Sequence, residues 1–450
     1  MSSWWWWFFS VDIDDTTMMN QCLNDTVLQL TTGDIDYVIQ RYLFPVEFVA
    51  GVAGNAINLI VLLSKGMRTE SNLLLSAMAF SDICFLLSML PHCLAPYAFF
   101  YTSINFRYFY YRSKTHINAM ANLFSAAATW LVLCVSIERF CGIRKPMHTK
   151  FEWKDWRIYL LIIGVFIAAF GVTAYHHFEY HVKIVYLCGG NQLRGLYYPV
   201  AMVPNLKISL PGNSTPANIH PFFATYAKYG KYAQSFSVVV MPIILVGILN
   251  YSLIAALRKR DIFINNAIEQ NEMKLVESAT ALMASERQGS KTAVCRKESD
   301  KIRFSDMGAI QRQERRVTIT VLSIVTCFTL THAPTLIPFI WESVDDTATR
   351  YPLFINMVSI INNLLVVGKV MNFVLFCSVS SHFRKRLVAI VGPRRCAVAE
   401  RPVKIWKKPK KYSTASTSLN SRHKHSVQLS TYRARPRLQK FSTTSTQLDY

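Results

Sequence analysis

A lysine and an aspartate each lie inside a long apolar stretch of this sequence. Lys369 falls within VVGKVMNF, and Asp82 follows MAFS in a stretch rich in leucine and phenylalanine. Lys369 precedes Ser378, at the end of its stretch, by nine residues. About 14 Å of helix therefore separates the lysine from water, farther than its side chain comfortably reaches. A charge buried in an apolar helix is costly unless it is paired, so Lys369 needs a partner and Asp82 is a candidate functional residue.

A second set of residues combines charges, rings and prolines. Glu138 and Arg139 are adjacent near the end of one apolar stretch, and Glu314 stands in RQERR just before another. A carboxylate and a guanidinium can join two helices by an ion pair. Proline breaks the helical hydrogen-bond ladder, and the candidate pivot residues are Pro242, Phe328, His332 and Pro334. No metal-ligand, nucleophile or phosphate-loop constellation occurs in the sequence, so we expect neither an enzyme nor a cofactor.

The elements that must position these residues are apolar helices. The chain has 450 residues, 51% of them hydrophobic. Its apolar runs reach about 20 residues, enough to cross the hydrocarbon layer as helices. The sequence predicts an all-α membrane protein, a seven-transmembrane helix bundle, with spans one to seven near 44–64, 72–97, 117–142, 157–176, 233–257, 316–341 and 352–378. Helical spacing in residues 267–287 predicts a cytoplasmic extension of span five.

The distribution of charge orients the bundle. Basic residues concentrate after span one, after span three and in the tail, whereas the first 43 residues are acidic. The positive-inside rule then predicts a plasma-membrane protein with an extracellular N-terminus and a cytoplasmic C-terminus. Asn24 and Asn213, both in glycosylation sequons, fall on the extracellular side. The net charge of +22 is mostly cytoplasmic and close to the membrane, which indicates membrane lipids and not nucleic acid as its partner.

The chain outside the bundle (44–379) divides into three segments. Residues 1–43 form an extracellular N-terminal segment that begins with an exposed aromatic tail or, alternatively, an interfacial anchor. Residues 380–391 carry basic and apolar residues at helical spacing, which predicts a short cytoplasmic helix on the membrane surface. Residues 392–450 are predicted to be a disordered basic tail with two Ser/Thr clusters for phosphorylation. Cys396 in this tail is a candidate for palmitoylation.

Most of the seven spans carry one diagnostic residue. In chain order these are Asn55, Asp82, Glu138 with Arg139, Pro242, Phe328 with Pro334, and Asn372. With this order and spacing, residues 44–391 resemble the rhodopsin-like G-protein-coupled receptors. THAP in span six and NFVLFC in span seven are most similar to invertebrate FMRFamide-type neuropeptide receptors.

The resemblance implies roles for the residues at the cytoplasmic side. Arg139 is similar to the family arginine that rests against acidic partners and, on activation, moves to a heterotrimeric G protein. Glu138 is its neighbour, and an Arg139–Glu314 bridge would hold spans three and six together at rest; the alternative is that Glu314 pairs only with Arg315. Pro334 permits the inner half of span six to swing outward. A receptor kinase and arrestin are expected at the tail.

Two departures from the family's pattern matter. His332 stands where the family usually has tryptophan, and we expect a neutral, hydrogen-bonded imidazole there. Lys114 replaces the family's cysteine at the outer end of span three, so Cys188 needs another partner. The preferred pair is Cys93–Cys188, and the alternative is Cys22–Cys188.

The resemblance also suggests a partner for Lys369. In the family, span seven faces the buried aspartate of span two around a sodium site. Lys369 and Asn372 share a helix face through their i, i+3 spacing. We predict that the Lys369 ammonium replaces the sodium ion and pairs with Asp82, in a buried polar switch that also includes Asn55 and Asn372. The alternative, a retinal Schiff base, is disfavoured because the opsin lysine lies six residues before the asparagine and Lys369 only three.

The outer surface indicates a peptide ligand. Span three lacks an aspartate in its outer half, where amine receptors hold their cation, and the outer loops are long and aromatic. A ligand ending in Arg-Phe-amide would need carboxylates, and the outer candidates are Glu179, Glu342, Asp345 and Asp346. Alternatively, these acids are ordinary solvated loop charges. The alternative function is an environmental chemoreceptor of the same fold with a small-molecule ligand.

Overall fold

The computed structural model describes residues 22–144, 155–200, 221–284, 318–345, 348 and 351–391. Five residues named above lie outside this part of the chain: Asn213, Glu314, Arg315, Asp346 and Cys396. The same is true of the aromatic tail and of residues 392–450.

Seven described helices are long and apolar enough to cross a membrane, which confirms the predicted all-α seven-helix membrane bundle. They are Asp34–Leu62, Glu70–Ser88, Ile104–Gly142, Trp156–Phe178, Pro221–Lys259, Thr318–Glu342 and Pro352–Val379, and they keep the numbers one to seven. Span one begins ten residues before its predicted boundary. The reason is that Asp34–Val38 and a π-helical turn at Ile39–Leu43 lead directly into the helix Phe44–Leu62.

Spans three and five also begin well before their predicted boundaries. Span three is one helix, Ile104–Arg144, so the segment FRYFYYR, which reads as an outer loop, is helical. Its mixed composition concealed the helix, because Tyr110 and Tyr111 pack against other protein segments at this end of the bundle. Span five starts with the helix Pro221–Gln234, and its last helix, Met241–Ala284, includes most of the predicted cytoplasmic extension.

Two prolines interrupt spans five and six. Proline has no N–H to donate, and its ring clashes with the carbonyl one turn earlier. Span five opens into a π-helical turn at Ser235–Val240, just before Pro242. In span six a 3-10 turn at Ala333–Thr335, which contains Pro334, precedes the outer helix Leu336–Val344. Both positions can bend more easily than an uninterrupted helix.

Glycines allow span seven to approach its neighbours closely. A Cβ atom at Gly54 of span one would lie 2.8 Å from Cβ of Phe373. A Cβ atom at Gly368 would lie 2.5 Å from the hydroxyl oxygen of Thr331 in span six. Small residues at helix contacts are a common means of close packing in membranes. The backbone next to Lys369 is therefore held against spans one and six.

A β-hairpin and the N-terminal segment meet at the end of the bundle opposite Arg139, which we call the outer end. Strand β1 (Tyr180–Leu187) pairs antiparallel with β2 (Gln192–Pro199). Leu30 of the N-terminal segment and Leu193 of β2 pack with the first turns of span three. This hairpin was not predicted, because its sequence reads as a loop of mixed composition between spans four and five.

The disulfide at the outer end corrects the preferred prediction. Cys188, at the hairpin turn, bonds to Cys22, and Cys93 is a free thiol. The pair is therefore the alternative one, Cys22–Cys188. Cys93 lies near the outer end of span two, but its side chain is buried in the hydrophobic core of the bundle, where it packs as a small apolar group. The bond that forms ties the N-terminal segment to the hairpin.

A helix follows span seven at Ser381–Val391, where the sequence predicts one. Phe383 is buried and stacks on Phe376 of span seven, with ring centroids 5.3 Å apart. Arg384 donates to the carbonyl oxygen of Ser378 at 2.7 Å and so satisfies an acceptor at the end of span seven. The position of this helix on the membrane surface stays a prediction.

Candidate functional site

A buried lysine–aspartate pair lies at the centre of the bundle. The Nζ atom of Lys369 donates to Oδ1 of Asp82 at 2.9 Å, and Nδ2 of Asn372 donates to Oδ2 at 2.8 Å. Asp82 is 1% exposed and Lys369 is 3% exposed. Both carboxylate oxygens thus accept a hydrogen bond from span seven. A charge buried away from water requires this kind of compensation.

Two further side chains surround this pair. Asn55 of span one donates to the carbonyl oxygens of Gly51, at 3.0 Å, and of Lys369, at 3.2 Å, so it links spans one and seven. The Lys369 ammonium lies 4.5 Å from the ring centre of Phe85 in span two, within cation–π distance. The structure therefore brings together all four residues predicted to form the polar switch. Phe85 was missed, because its sequence context does not distinguish a ring beside a cation from one facing lipid.

At the inner end of the bundle, Glu138 forms an ion pair with Arg139, whose Nε lies 3.3 Å from Oε2 of Glu138. The same carboxylate accepts a hydrogen bond from the hydroxyl of Ser71 in span two. Glu138 and Arg139 line a cavity of about 1230 Å³, its open mouth included, together with Thr320 of span six. Glu314 lies outside the described residues, so its bridge to Arg139 stays a prediction.

The pivot residues of span six stack on each other. The rings of Phe328 and His332 lie 3.7 Å apart with an interplanar angle of 24°. The His332 Nδ1 atom lies 3.0 Å from the carbonyl oxygen of Phe328, which can only accept, so Nδ1 carries the proton. His332 is buried and directly precedes the 3-10 turn at Pro334. The two stacked rings therefore lie in the last α-helical turn before the bend at Pro334.

Two of the outer acidic residues pair with basic residues of the protein. Glu342 of span six forms an ion pair with Lys231 of span five. In the second pair, Oε2 of Glu179 lies 2.7 Å from Nδ1 of His176. Their side chains are 8% and 12% exposed, so Glu342 and Glu179 are not solvated loop charges. Asp345, which follows span six, is partly exposed.

The carboxylates of Glu179 and Glu342 both lie close to the hydroxyl of Tyr180. Tyr175, at the end of span four, is fully buried, and Tyr180 begins β1. Burial raises the pKa of the Tyr180 hydroxyl well above its usual range, and the nearby carboxylates of Glu179 and Glu342 raise it further. A positively charged group at this point would be attracted by both carboxylates.

Arg107 joins three segments at the outer end and was not singled out in the sequence. Its guanidinium donates to the carbonyl oxygens of Leu193 in β2 and Leu28 in the N-terminal segment, both at 2.6 Å. It also donates to the hydroxyl of Tyr111 at 3.1 Å. Five donors in a fixed fork allow one side chain to satisfy acceptors from separate segments. Arg107 belongs to FRYFYYR, where the sequence shows no sign of burial.

Lys114 is a second buried lysine, also 3% exposed. Its ammonium lies 5.6 Å from the ring centre of Tyr110 and 5.4 Å from that of Tyr197. It is also close enough to Asp36, in the first turns of span one, for their charges to interact. Aromatic rings and a nearby carboxylate thus surround the residue that replaces a cysteine of the family.

These features define a polytopic membrane protein of the seven-helix receptor class. The family model described as "7 transmembrane receptor (rhodopsin family)" matches residues 54–193. A Caenorhabditis elegans protein named as a G-protein coupled receptor is 30% identical over 373 residues, which cover 83% of this chain and 77% of the relative. The chain therefore belongs to the rhodopsin family of G-protein-coupled receptors, a family of receptors and not of enzymes.

Two further relatives carry names that refer to peptides or hormones. Sex peptide receptor-related protein 2 of Caenorhabditis elegans is 22% identical over 390 residues, 83% of this chain and 76% of its own length. Growth hormone secretagogue receptor type 1 of Sus scrofa is 32% identical over 131 residues, 27% of this chain and 32% of its own length. Both are similar to this chain, and the second is similar over one segment only.

Proposed function

We propose that this protein binds an extracellular peptide and activates a heterotrimeric G protein. The observation that carries the proposal is made at the outer end of the bundle, where two largely buried carboxylates, Glu179 and Glu342, lie close to the same hydroxyl, that of Tyr180. Span three supplies no carboxylate above Glu138, so it offers no acidic anchor for a small amine. The names of the relatives that refer to peptides favour the same class of ligand.

The ligand we propose is an amidated, FMRFamide-like neuropeptide. Its arginine guanidinium would displace Lys231 from Glu342 or His176 from Glu179, because a bidentate guanidinium bond to a carboxylate is stronger than the bond of a point charge. Asp345 and Asp346, which follow at the end of span six, are further candidates. The pairs observed would then be the resting partners of these acids.

Activation would proceed through the inner half of span six. The 3-10 turn at Pro334 allows this half to swing outward. In the resting state Arg139 would pair with Glu138 and with Glu314. On activation it would leave both acids and contact the G protein in the inner cavity. A receptor kinase and arrestin would act at the Ser/Thr-rich tail, and Cys396 would carry the lipid anchor.

The proposed location is the plasma membrane, with the N-terminus outside. Asn24 is exposed, as a glycosylated asparagine must be, and Asn213 is the second proposed site. A disulfide at the outer end agrees with this orientation, because disulfides persist outside the cell and are rare in the cytosol.

At the centre of the bundle, we propose that Lys369 takes the place of the family's sodium ion. Its ammonium occupies one oxygen of Asp82, and Asn372 occupies the other. A second cation at this carboxylate would meet the positive charge of Lys369. The protein would therefore carry its own cation and would not depend on external sodium.

The first experiment is an activation screen of the full chain in cells. Calcium and cyclic-nucleotide responses to a library of amidated peptides are recorded for the wild type and for Arg139→Ala at equal surface expression. We expect a potent response to an arginine-containing amidated peptide that Arg139→Ala abolishes. Silence of a surface-expressed wild type would contradict a peptide agonist, and a response to small molecules alone would favour the chemoreceptor.

The proposed contact between Glu342 and the arginine of the peptide is tested with the active peptide and with its citrulline analogue, which lacks the positive charge. Glu342→Gln should lower the potency of the arginine peptide by about 10- to 100-fold, because it removes hydrogen bonds to a charged group. The potency of the citrulline peptide should hardly change. Equal losses for both peptides would mean that Glu342 serves the structure and not the ligand.

A further inference from the structure

A second outer cavity lies between the N-terminal segment and spans one, two and seven, and the activation mechanism above does not use it. Its volume is about 600 Å³, open mouth included. Gln40 of span one and Asn363 of span seven both line it, together with apolar side chains such as Phe44, Met89 and Val366. Mostly apolar walls with a few polar groups are typical of a site that binds a small ligand group.

The orientation of the Gln40 amide is set by Asp36. Nε2 of Gln40 donates to Oδ1 of Asp36 at 2.8 Å. The other carboxylate oxygen accepts bonds from the backbone N–H of Thr32 at 2.9 Å and from its hydroxyl at 2.8 Å. Gln40 is 8% exposed, and its carbonyl oxygen receives no hydrogen bond from any described residue. Gln40 therefore contributes a buried acceptor to this cavity.

The Asn363 amide lies close to the Glu47 carboxylate of span one. Because a carboxylate can only accept, the NH₂ group of Asn363 is the part of the amide that can bond to Glu47. The carbonyl oxygen of Asn363 is buried, and within the described part of the chain nothing donates to it. Leaving such an acceptor unsatisfied is unfavourable. Two oxygens that both require donors thus belong to one cavity.

The occupant must supply donors without carrying a charge. An ionised carboxylate would bring further acceptors to Gln40 and Asn363 and would be repelled by Asp36 and Glu47. A cation is opposed by the buried Lys114, whose charge acts on both Asp36 and His92 around this cavity. A primary carboxamide is neutral and has two N–H donors, one for each oxygen.

We propose that this cavity binds the terminal carboxamide of the peptide ligand, with its NH₂ group bonded to Oε1 of Gln40 and Oδ1 of Asn363. The side chain of the last residue would then contact the apolar walls. The inference rests on the proposed function and deepens it, because it explains why a peptide must be amidated. A free acid would place negative charge against two acceptors.

The test uses small probes and the purified full chain in lipid nanodiscs, so it does not require an agonist. Thermal unfolding is measured with N-acetylphenylalaninamide, its N,N-dimethylamide, N-acetylphenylalanine and phenethylamine. We expect a saturable rise in Tm with the primary amide and no rise with the other three. Ser359→Phe, which fills the cavity but keeps both oxygens, should abolish this rise. The matched control is Ser323→Phe, on span six outside the cavity.

Three results would overturn the proposal. Equal rises with the primary amide and the dimethylamide would mean that only the apolar walls bind. A larger rise with phenethylamine would make the cavity a cation site, and no rise with the primary amide would remove the site. A rise in Tm without any response in the activation screen would instead retain the carboxamide site and reject the peptide agonist, so the two failures are distinguishable.

Discussion

The protein contains two buried lysines that differ in how their charge is compensated. Lys369 at the centre and Lys114 at the outer end are both 3% exposed. Lys369 contacts a carboxylate at 2.9 Å, and among the described residues that carboxylate, Asp82, accepts one other hydrogen bond, from Asn372. Lys114 lies over two tyrosine rings, and the Asp36 carboxylate near it already accepts three hydrogen bonds, from Thr32 and Gln40.

Burial alone therefore does not determine how much a buried charge contributes to the stability of the bundle. Removing Lys369 leaves Asp82 as a buried carboxylate with a single donor. Removing Lys114 leaves Asp36 with Thr32 and Gln40 still bonded to it. The stranded partner, more than the lost bond, determines the cost of breaking a buried pair. We therefore expect the same substitution to have very different effects at the two positions.

The largest effect is expected for Lys369→Ala. This variant should lose about 3–5 kcal/mol of stability, because it leaves the Asp82 charge in the bundle without its cation. Surface expression and the Tm of the purified protein measure the loss. A variant with wild-type expression and Tm would show that the pair does not hold the bundle together.

A second substitution should reverse part of this loss. In Lys369→Ala with Asp82→Asn, the stranded charge is gone and an amide can still accept from Asn372. We expect surface expression and Tm to recover partly, with a coupling energy of about 1–3 kcal/mol in a double-mutant cycle. Strictly additive effects of the two substitutions would refute a direct interaction between these residues.

A smaller effect is expected for Lys114→Ala, the matched substitution at the outer end. It removes cation–π contacts with Tyr110 and Tyr197, which are worth about 0.5–2 kcal/mol. The Tm should fall by clearly less than in Lys369→Ala. A loss as large as that of Lys369→Ala would mean that Lys114 compensates a charge in the same way as Lys369, and the contrast between the two lysines would disappear.

The smallest effect is expected from sodium. Replacing NaCl by choline chloride at constant ionic strength should leave the Tm of the wild type unchanged, because Lys369 already occupies Asp82. In Lys369→Ala the carboxylate is open to a cation, so sodium should raise the Tm. Normal sodium dependence of the wild type would refute the replacement of the ion by the lysine.

The sequence predicted the centre of the bundle better than its outer end. The positions of Asp82, Lys369, Asn372 and Asn55 in apolar spans, together with the resemblance to the family, predicted that these residues meet. By contrast, Arg107 and Lys114 stand in a mixed polar and aromatic segment that reads as an outer loop. Their burial depends on the N-terminal segment and on β2, which are distant in the sequence.

The sequence by itself determined the seven helices and the resemblance to the family, and the resemblance indicated the central pair. The physical reason is that hydrocarbon supplies no hydrogen bonds. An apolar run of spanning length must therefore form a helix, and a charge inside it must find a partner. Only the tertiary structure decided the outer end: the hairpin, the Cys22–Cys188 bond and the acceptors of Gln40 and Asn363. In water many loop conformations satisfy the same residues, and contacts between distant segments select among them.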